Sequence, residues 1–413
     1  MSPPFSRHHA LGTSARVMLA IGLACIFGCS AFGQAQPSTN RSKPFGPDAC
    51  GPADPAYIRT ANETGGIPMF LQRSEAAKAF HLVRESTRNN VATVFWATGT
   101  PDGKVKSIGI PVDSVTKRIT FAFSVDTKGS RLKLTQPSGG EIQESSASTE
   151  ITELNCGRVV TLSSPEAGEW RAEITGTGRY WLEAEAQSDI FFVSAEFVKQ
   201  GGRIGHEGFF RIHGQPLIGA PATLQLSLSA GAAKTTDFCL VTEEGQTIQE
   251  LSLRAVNSDR EFLEFVGRLD LPAQPFRVSV TGRDLNGRRY QRFFSSLFHA
   301  ESVEVSSRPD FDELDPGGTK QIAFTIRNLA SPRTFKITVT DAHRFVSKVD
   351  PQELSLGAEQ SGTVRVDLTV PLGTATGVGD DVVFVASSIQ GPPTSNSSVM
   401  HFSVSSGTAQ NPR

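Results

Sequence analysis

The chain has 413 residues, with 40 Lys and Arg against 42 Asp and Glu, and a formal charge of −2. That balance argues against nucleic acid as a partner, because such binders carry a basic face. With 38 Gly, 24 Pro and 27 Phe but few helix-favouring runs, the composition fits short strands and turns. The length suits about three domains.

The N-terminus reads as an address. Arg7, His8, His9 and Arg16 precede an apolar run from Val17 to Phe32, and small residues follow at Gly33 and Ala35. This is the form of a signal peptide over residues 1–35, and the run is short for a membrane span. The expected location is therefore extracellular. Ile26-Phe27-Gly28-Cys29 also resembles a bacterial lipobox, which would lipidate Cys29 and give a periplasmic or outer-surface lipoprotein. Contact with a membrane is expected only in that case.

Residues 36–56 read as a linker. Beyond the signal stand Cys50, Cys156 and Cys239. Three thiols in an exported chain permit one bridge and one leftover, or no bridge at all. Cys50 and Cys156 lie in loop-like contexts and are the candidate disulfide. Cys239 lies in a strand-like run and reads as a buried free thiol.

Residues 57–90 read as a short α/β segment: a helix ending at Gly65-Gly66, a strand Ile67–Leu71, and a second helix from Ser74 to about Ser86. The first β-sandwich is placed at 91–200. Its centre is Trp170, Ala172 and Ile174, then Gly176-Thr177-Gly178, then Tyr180, Leu182 and Ala184, read as a hairpin. Residues 137–152 read as a polar loop. A second, Ig-like sandwich spans 201–299, with the boundary at Gly201-Gly202 and one strand over 247–254. A third spans 300–405, where Val364, Val366, Leu368 and Val370 alternate with polar residues. Residues 406–413 read as a disordered tail. The fold class is all-β: tandem sandwiches, Ig-like or fibronectin-like, with a short α/β N-terminal segment.

Certain segments carry a resemblance. Asn62-Glu63-Thr64-Gly65-Gly66, followed by an apolar strand and an amphipathic helix, is similar to the end of a von Willebrand factor A domain. Phe121-Ala122-Phe123-Ser124-Val125-Asp126, Leu132 to Gly139 and Pro165-Glu166-Ala167-Gly168-Glu169-Trp170 resemble the region behind that domain in hemicentins. Pro272 to Asp284 resembles the module after it. The resemblance covers roughly 56–300. It implies an extracellular, non-enzymatic architecture. The A domain's Asp-x-Ser-x-Ser metal loop has no match, since Asp126-Thr127-Lys128-Gly129-Ser130 departs from it, so metal-dependent adhesion is not carried over.

No catalytic residue and no cofactor site is assigned. There is no Gly-x-Ser-x-Gly elbow and no phosphate loop. His206, Glu207 and His213 share a Gly-rich segment without zincin spacing. Asp310, Asp312 and Asp315, with Glu313, form a calcium candidate that lacks the EF-hand pattern. Asp380-Asp381 stands in a Gly-rich turn and offers a second acidic pair. The pairs Phe191-Phe192, Phe209-Phe210 and Phe293-Phe294 serve either inter-sandwich packing or a partner surface. Asn62-Glu63-Thr64 and Asn396-Ser397-Ser398 have the form of glycosylation sequons, which matter only in a eukaryote. The expected function is a secreted binding or structural protein in adhesion or surface assembly, its partner an extracellular protein or surface glycan. The alternatives are the lipid-anchored component and an accessory-domain protein of a secreted hydrolase.

Overall fold

A computed structural model describes residues 50, 54–78, 91–202, 207–229, 236–258, 262–307 and 311–405. The signal, Cys29 and the tail lie outside them. The described chain is all-β, with a short helical segment at its start.

That start is a strap. Helix α1 (Pro55–Thr64) has Asp54 as its cap, the side chain accepting from the Ala56 amide, and ends on Gly65 at φ 88°. Ile67–Leu71, expected as a strand, is extended chain with a single bridge residue at Met69. A 3₁₀ turn, Arg73–Glu75, then leads into helical residues 76–78. The remainder of the expected helix to Ser86 lies outside the described residues.

The first sandwich is made of β1 (Val91–Gly99), β2 (Lys106–Val112), β3 (Arg118–Val125), β4 (Arg131–Thr135), β5 (Thr149–Leu154), β6 (Gly157–Ser163), β7 (Gly168–Thr175) and β8 (Tyr180–Gln187). One sheet runs β1-β8-β3-β6-β5 and the other β2-β7-β4. Two expectations are corrected here. β7 and β8 do not pair as a hairpin: they lie in opposite sheets, and Gly176 and Gly178, both at positive φ, carry the chain around the corner. A Cβ on Gly176 would stand 2.5 Å from the Ser130 Cα, so the corner has no room for a side chain. The polar loop also ends earlier than expected, because β5 pairs with β6.

Trp170, Ile174, Phe121, Phe123 and Leu182 fill the core between these sheets. The outer face of the larger sheet is covered as well. Ile67 and Met69 of the strap pack on Trp96, Val159 and Trp181 there. Burial on both faces explains the near-continuous apolar run of β1. Trp96 Nε1 donates to the Gly66 carbonyl at 3.2 Å, and Trp181 Nε1 to Asn62 Oδ1 at 3.0 Å.

The second sandwich comprises β9 (Phe192–Gly201), β10 (Gly208–Arg211), β11 (Ala222–Ser229), β12 (Thr236–Val241), β13 (Thr247–Leu251), β14 (Arg254–Ser258), β15 (Phe262–Leu269), β16 (Arg277–Arg283) and β17 (Arg289–Phe293). Its sheets run β10-β9-β11-β15-β14 and β13-β12-β16-β17. β9, expected in the first sandwich, therefore pairs in the second, and Gly201-Gly202 lies at the end of β9, before its partner β10. The single strand expected over 247–254 is two strands in opposite sheets, since Ser252 and Leu253 interrupt it.

β18 (Val303–Ser307), β19 (Phe311–Leu314), β20 (Thr319–Asn328), β21 (Arg333–Thr340), β22 (Val346–Asp350), β23 (Glu353–Leu356), β24 (Ser361–Thr369), β25 (Gly379–Ser388) and β26 (Ser395–Val404) form the third sandwich. The sheets are β18-β20-β24-β22 and β19-β26-β25-β21-β23, with β19 parallel to β26. Val364, Val366, Leu368 and Val370 are fully buried in its core, as their alternation requires.

The first two sandwiches meet at a charged seam. Arg292 donates to Asp113 Oδ2 at 2.5 Å with both side chains buried, and also to Ser188 and the Ile190 carbonyl. Asp284 accepts from the Ser114 amide and hydroxyl at 2.8 and 2.6 Å. Arg277 lies over the Trp96 ring at 4.0 Å and donates to the carbonyls of Asn62 and Ser295. Burial lowers its guanidinium to about 10, against the pull of Glu243 and Glu183.

Candidate functional site

The residues singled out in the sequence do not converge. Asp310 and His206 lie outside the described residues. Asp312 is paired with Lys320 at 2.5 Å, and Asp315 accepts from the Ser405 hydroxyl. Asp380 is buried and accepts from the amides of Ala342 and His343 at 3.1 and 3.0 Å. Asp381 meets His401 at 2.6 Å, and the His213 ring stands 6.0 Å from that of His401. Among the described residues no group of three His, Cys, Asp or Glu is arranged to hold a metal.

The aromatic pairs divide. Phe293 packs on Phe95 of the first sandwich at 5.6 Å, while Phe294 packs on Phe192 of the second at 5.7 Å. Phe209 and Phe210 are exposed on the edge strand β10. Neither sequon presents a free side chain. Asn62 is buried under Trp181, and Asn396 spends its carbonyl on Gln215 and Ser397 and its amide on Gln215 and Val303.

Cys50 and Cys156 are joined as a disulfide, with Cα atoms 5.7 Å apart and a sequence separation of 106. Cys239 is a free thiol, only partly buried. Burial pushes it up, as do the nearby charges of Glu250 and Asp237.

The disulfide stands beside a cleft of about 450 Å³ at one end of the first sandwich. Three separate segments wall it. The β3–β4 loop and the start of β4 supply Lys128, Ser130 and Arg131; the chain after β4 supplies Glu141 and Gln143; the β5–β6 hairpin supplies Glu153, Asn155 and Arg158. Cys50 joins two of these walls. Its sulfur bonds the β5–β6 turn through Cys156, and its amide donates to the Asp126 carbonyl of the β3–β4 loop at 3.0 Å. The strap returns to the same turn, where buried Glu75 accepts from the Asn155 amide at 2.8 Å. Gly157 closes the turn so tightly that a Cβ there would lie 2.3 Å from the Phe123 carbonyl oxygen.

Most charges lining the cleft are already used. Arg158 meets Glu153 at 2.8 Å and donates to the carbonyls of Leu132 and Ile142 at 3.2 and 3.3 Å. Lys133 holds Glu141 at 3.2 Å, and this hydrogen bond keeps the Glu141 carboxyl below its ordinary value. Sequence reasoning found the disulfide but none of the cleft side chains. Their segments are far apart along the chain, and no local pattern marks them.

Comparison with known proteins agrees with the architecture. Residues 92–189 match a family model described as the hemicentin galactose-binding domain-like domain, and residues 302–406 one described as the VWA7 Ig-like domain. Hemicentin-1 of Mus musculus is 22% identical over 270 residues, covering 63% of this chain and 5% of that protein, so the chain spans a small part of that relative. Among solved structures, Bacillus licheniformis lipase BlEst2 in its propeptide form shares 12% identity, over 49% of this chain and 40% of that one, with a TM-score of 0.24. Dimeric latent PorU from Porphyromonas gingivalis shares 9% identity, over 76% of this chain and 34% of that one, with a TM-score of 0.21. The chain carries a hemicentin-like region of the kind associated with von Willebrand factor A domains.

Proposed function

We propose that this is a secreted, non-enzymatic binding or structural protein, acting in adhesion or surface assembly through its sandwich surfaces. The observation that carries the reading is the cleft of the first sandwich: a polar concavity whose walls are pinned by a disulfide before any ligand arrives. Such pre-organisation lowers the cost of binding. The similarity of the first sandwich to a hemicentin module and of the third to the VWA7 Ig-like domain supports an extracellular setting, and the galactose-binding-like description of residues 92–189 supports a glycan among the partners.

The test is a crosslinking pull-down with the mature chain as bait against the extracellular and surface fraction of its host. A saturable partner, protein or glycan, is expected. Recovery of nothing above background would remove the adhesion reading.

A further inference from the structure

We propose that the cleft at the disulfide end of the first sandwich binds a short acidic oligosaccharide, whose carboxylate or sulfate sits between Lys128 and Arg131. This rests on the binding-protein reading above and names the ligand class for the same site.

The argument is one of charge left over. Five ionised side chains line the cleft. Glu141 is neutralised by Lys133, and Glu153 by Arg158. The Arg158 guanidinium is further spent on two backbone carbonyls, which fixes it as part of the wall. Lys128 and Arg131 are exposed and make no ion pair or side-chain hydrogen bond among the described residues. The uncommitted charge of the cleft is therefore positive.

These two cations flank Gly129 and Ser130 where the β3–β4 loop enters β4, and the loop is not free to drift. Ser130 Oγ donates to the Thr177 carbonyl at 2.6 Å, and Asp126 at its start accepts from the amides of Cys50 and Arg179. A charged donor on a fixed loop loses less freedom when it takes an anion. Gln143 and Asn155 stand on the other walls with side-chain amides, each both donor and acceptor, which suit ring hydroxyls.

Size and overall charge limit the ligand. A formal charge of −2 gives the chain no overall attraction for a long polyanion. Two cations in a cleft of about 450 Å³ match one or two anionic groups on a di- or trisaccharide.

Isothermal titration of the mature chain decides the matter, with digalacturonate, a sulfated disaccharide and neutral galactobiose as probes. At least one anionic probe is expected to bind at least about tenfold more tightly than the neutral one, as a hydrogen bond to a charged group allows. The two anionic arms show whether carboxylate or sulfate is preferred. Raised salt is expected to weaken the binding. Lys128→Ala and Arg131→Ala lie on the surface and preserve the fold; each is expected to weaken the anionic probe, and together to abolish its advantage. Lys336→Ala, exposed on the third sandwich, is expected to change nothing. Equal binding of the neutral sugar, no effect of the two cleft variants, or no saccharide binding at all would overturn the proposal. A partner still captured in the pull-down would leave the binding-protein reading standing in each of those cases.

Discussion

The two joints of the molecule are built differently. The seam between the first and second sandwiches holds a fully buried ion pair, Asp113 with Arg292, and a buried Arg277 stacked on Trp96. The junction between the second and third is made mainly of side-chain amide and hydroxyl hydrogen bonds. Asn396 bonds Gln215, Thr394 donates to Glu301 at 2.6 Å, and Leu217 bridges Glu301. A buried charge needs all its partners in place, so the seam tolerates one arrangement and couples the two sandwiches. Hydrogen bonds of this kind cost less to lose than a buried ion pair costs to break, so the third sandwich keeps more independence. The difference places the rigid part of the molecule at the cleft-bearing end.

Asp113→Ala is expected to give the largest effect. It leaves Arg292 charged and buried without its carboxylate, which costs about 3–5 kcal/mol. Asp113 also accepts from the Val115 amide and Thr116 hydroxyl, so its loop loosens with it. Calorimetry should show the first two sandwiches melting together at a lower temperature, with the transition of the third unmoved. If the third falls in step, or the first two separate, the contrast between joints is wrong.

Asn396→Ala is expected to be milder. It strands the backbone amide and carbonyl of Gln215 and the carbonyl of Val303, at about 1–3 kcal/mol. The loss should appear in the transition of the third sandwich and in a wider spread of inter-domain angles by small-angle scattering. A loss as large as that of Asp113→Ala, shared by all three sandwiches, would mean the junction is a second seam.

Much of the fold was legible because it rests on local pattern. The alternation at Val364 to Val370 shows which face is buried, and Gly65 shows where α1 stops. Sheet membership was not legible. The alternating runs on either side of Gly176 to Gly178 look the same whether the chain folds back as a hairpin or turns a corner between sheets. Only packing of Trp170 and Tyr180 against a shared core decides it. The seam was hidden for a related reason. Glu183 and Glu185 fall between the alternating Tyr180, Leu182 and Ala184, yet the strap and the second sandwich cover their side of the sheet. The near-continuous apolar run of β1 was the available sign that this sheet is buried on both faces. The cleft left no sign at all, because its cations and acids come from three segments joined only by the fold.

The last expected effect concerns those two glutamates and vanishes at the acid end of the pH range. Burial pushes Glu183 well up, helped by the charge of Glu185 and opposed by Arg277; burial pushes Glu185 to about 7. Both folded values lie above the ordinary glutamate range, so the native state keeps protons that the unfolded chain has released. Their contribution to stability is complete below about pH 4.5 and falls as the pH rises, that of Glu185 being lost through about 7. Asp284 and Asp380 have the opposite sign. Burial raises each, but hydrogen bonds, led by Ser114 for Asp284 and by the Ala342 amide for Asp380, hold both below the ordinary aspartate value. They weaken the fold only in stronger acid, which leaves the window between pH 4.5 and 7 to the glutamates. Glu185→Gln fixes the uncharged form. The variant should match the wild type near the acid end of that window and exceed it above pH 7 by on the order of 1–3 kcal/mol. The gain should fall in the transition of the first two sandwiches, read by denaturant titration at each pH. A difference that does not change with pH would show that Glu185 is solvated as an ordinary surface carboxylate, and the seam would then be held by its arginines alone.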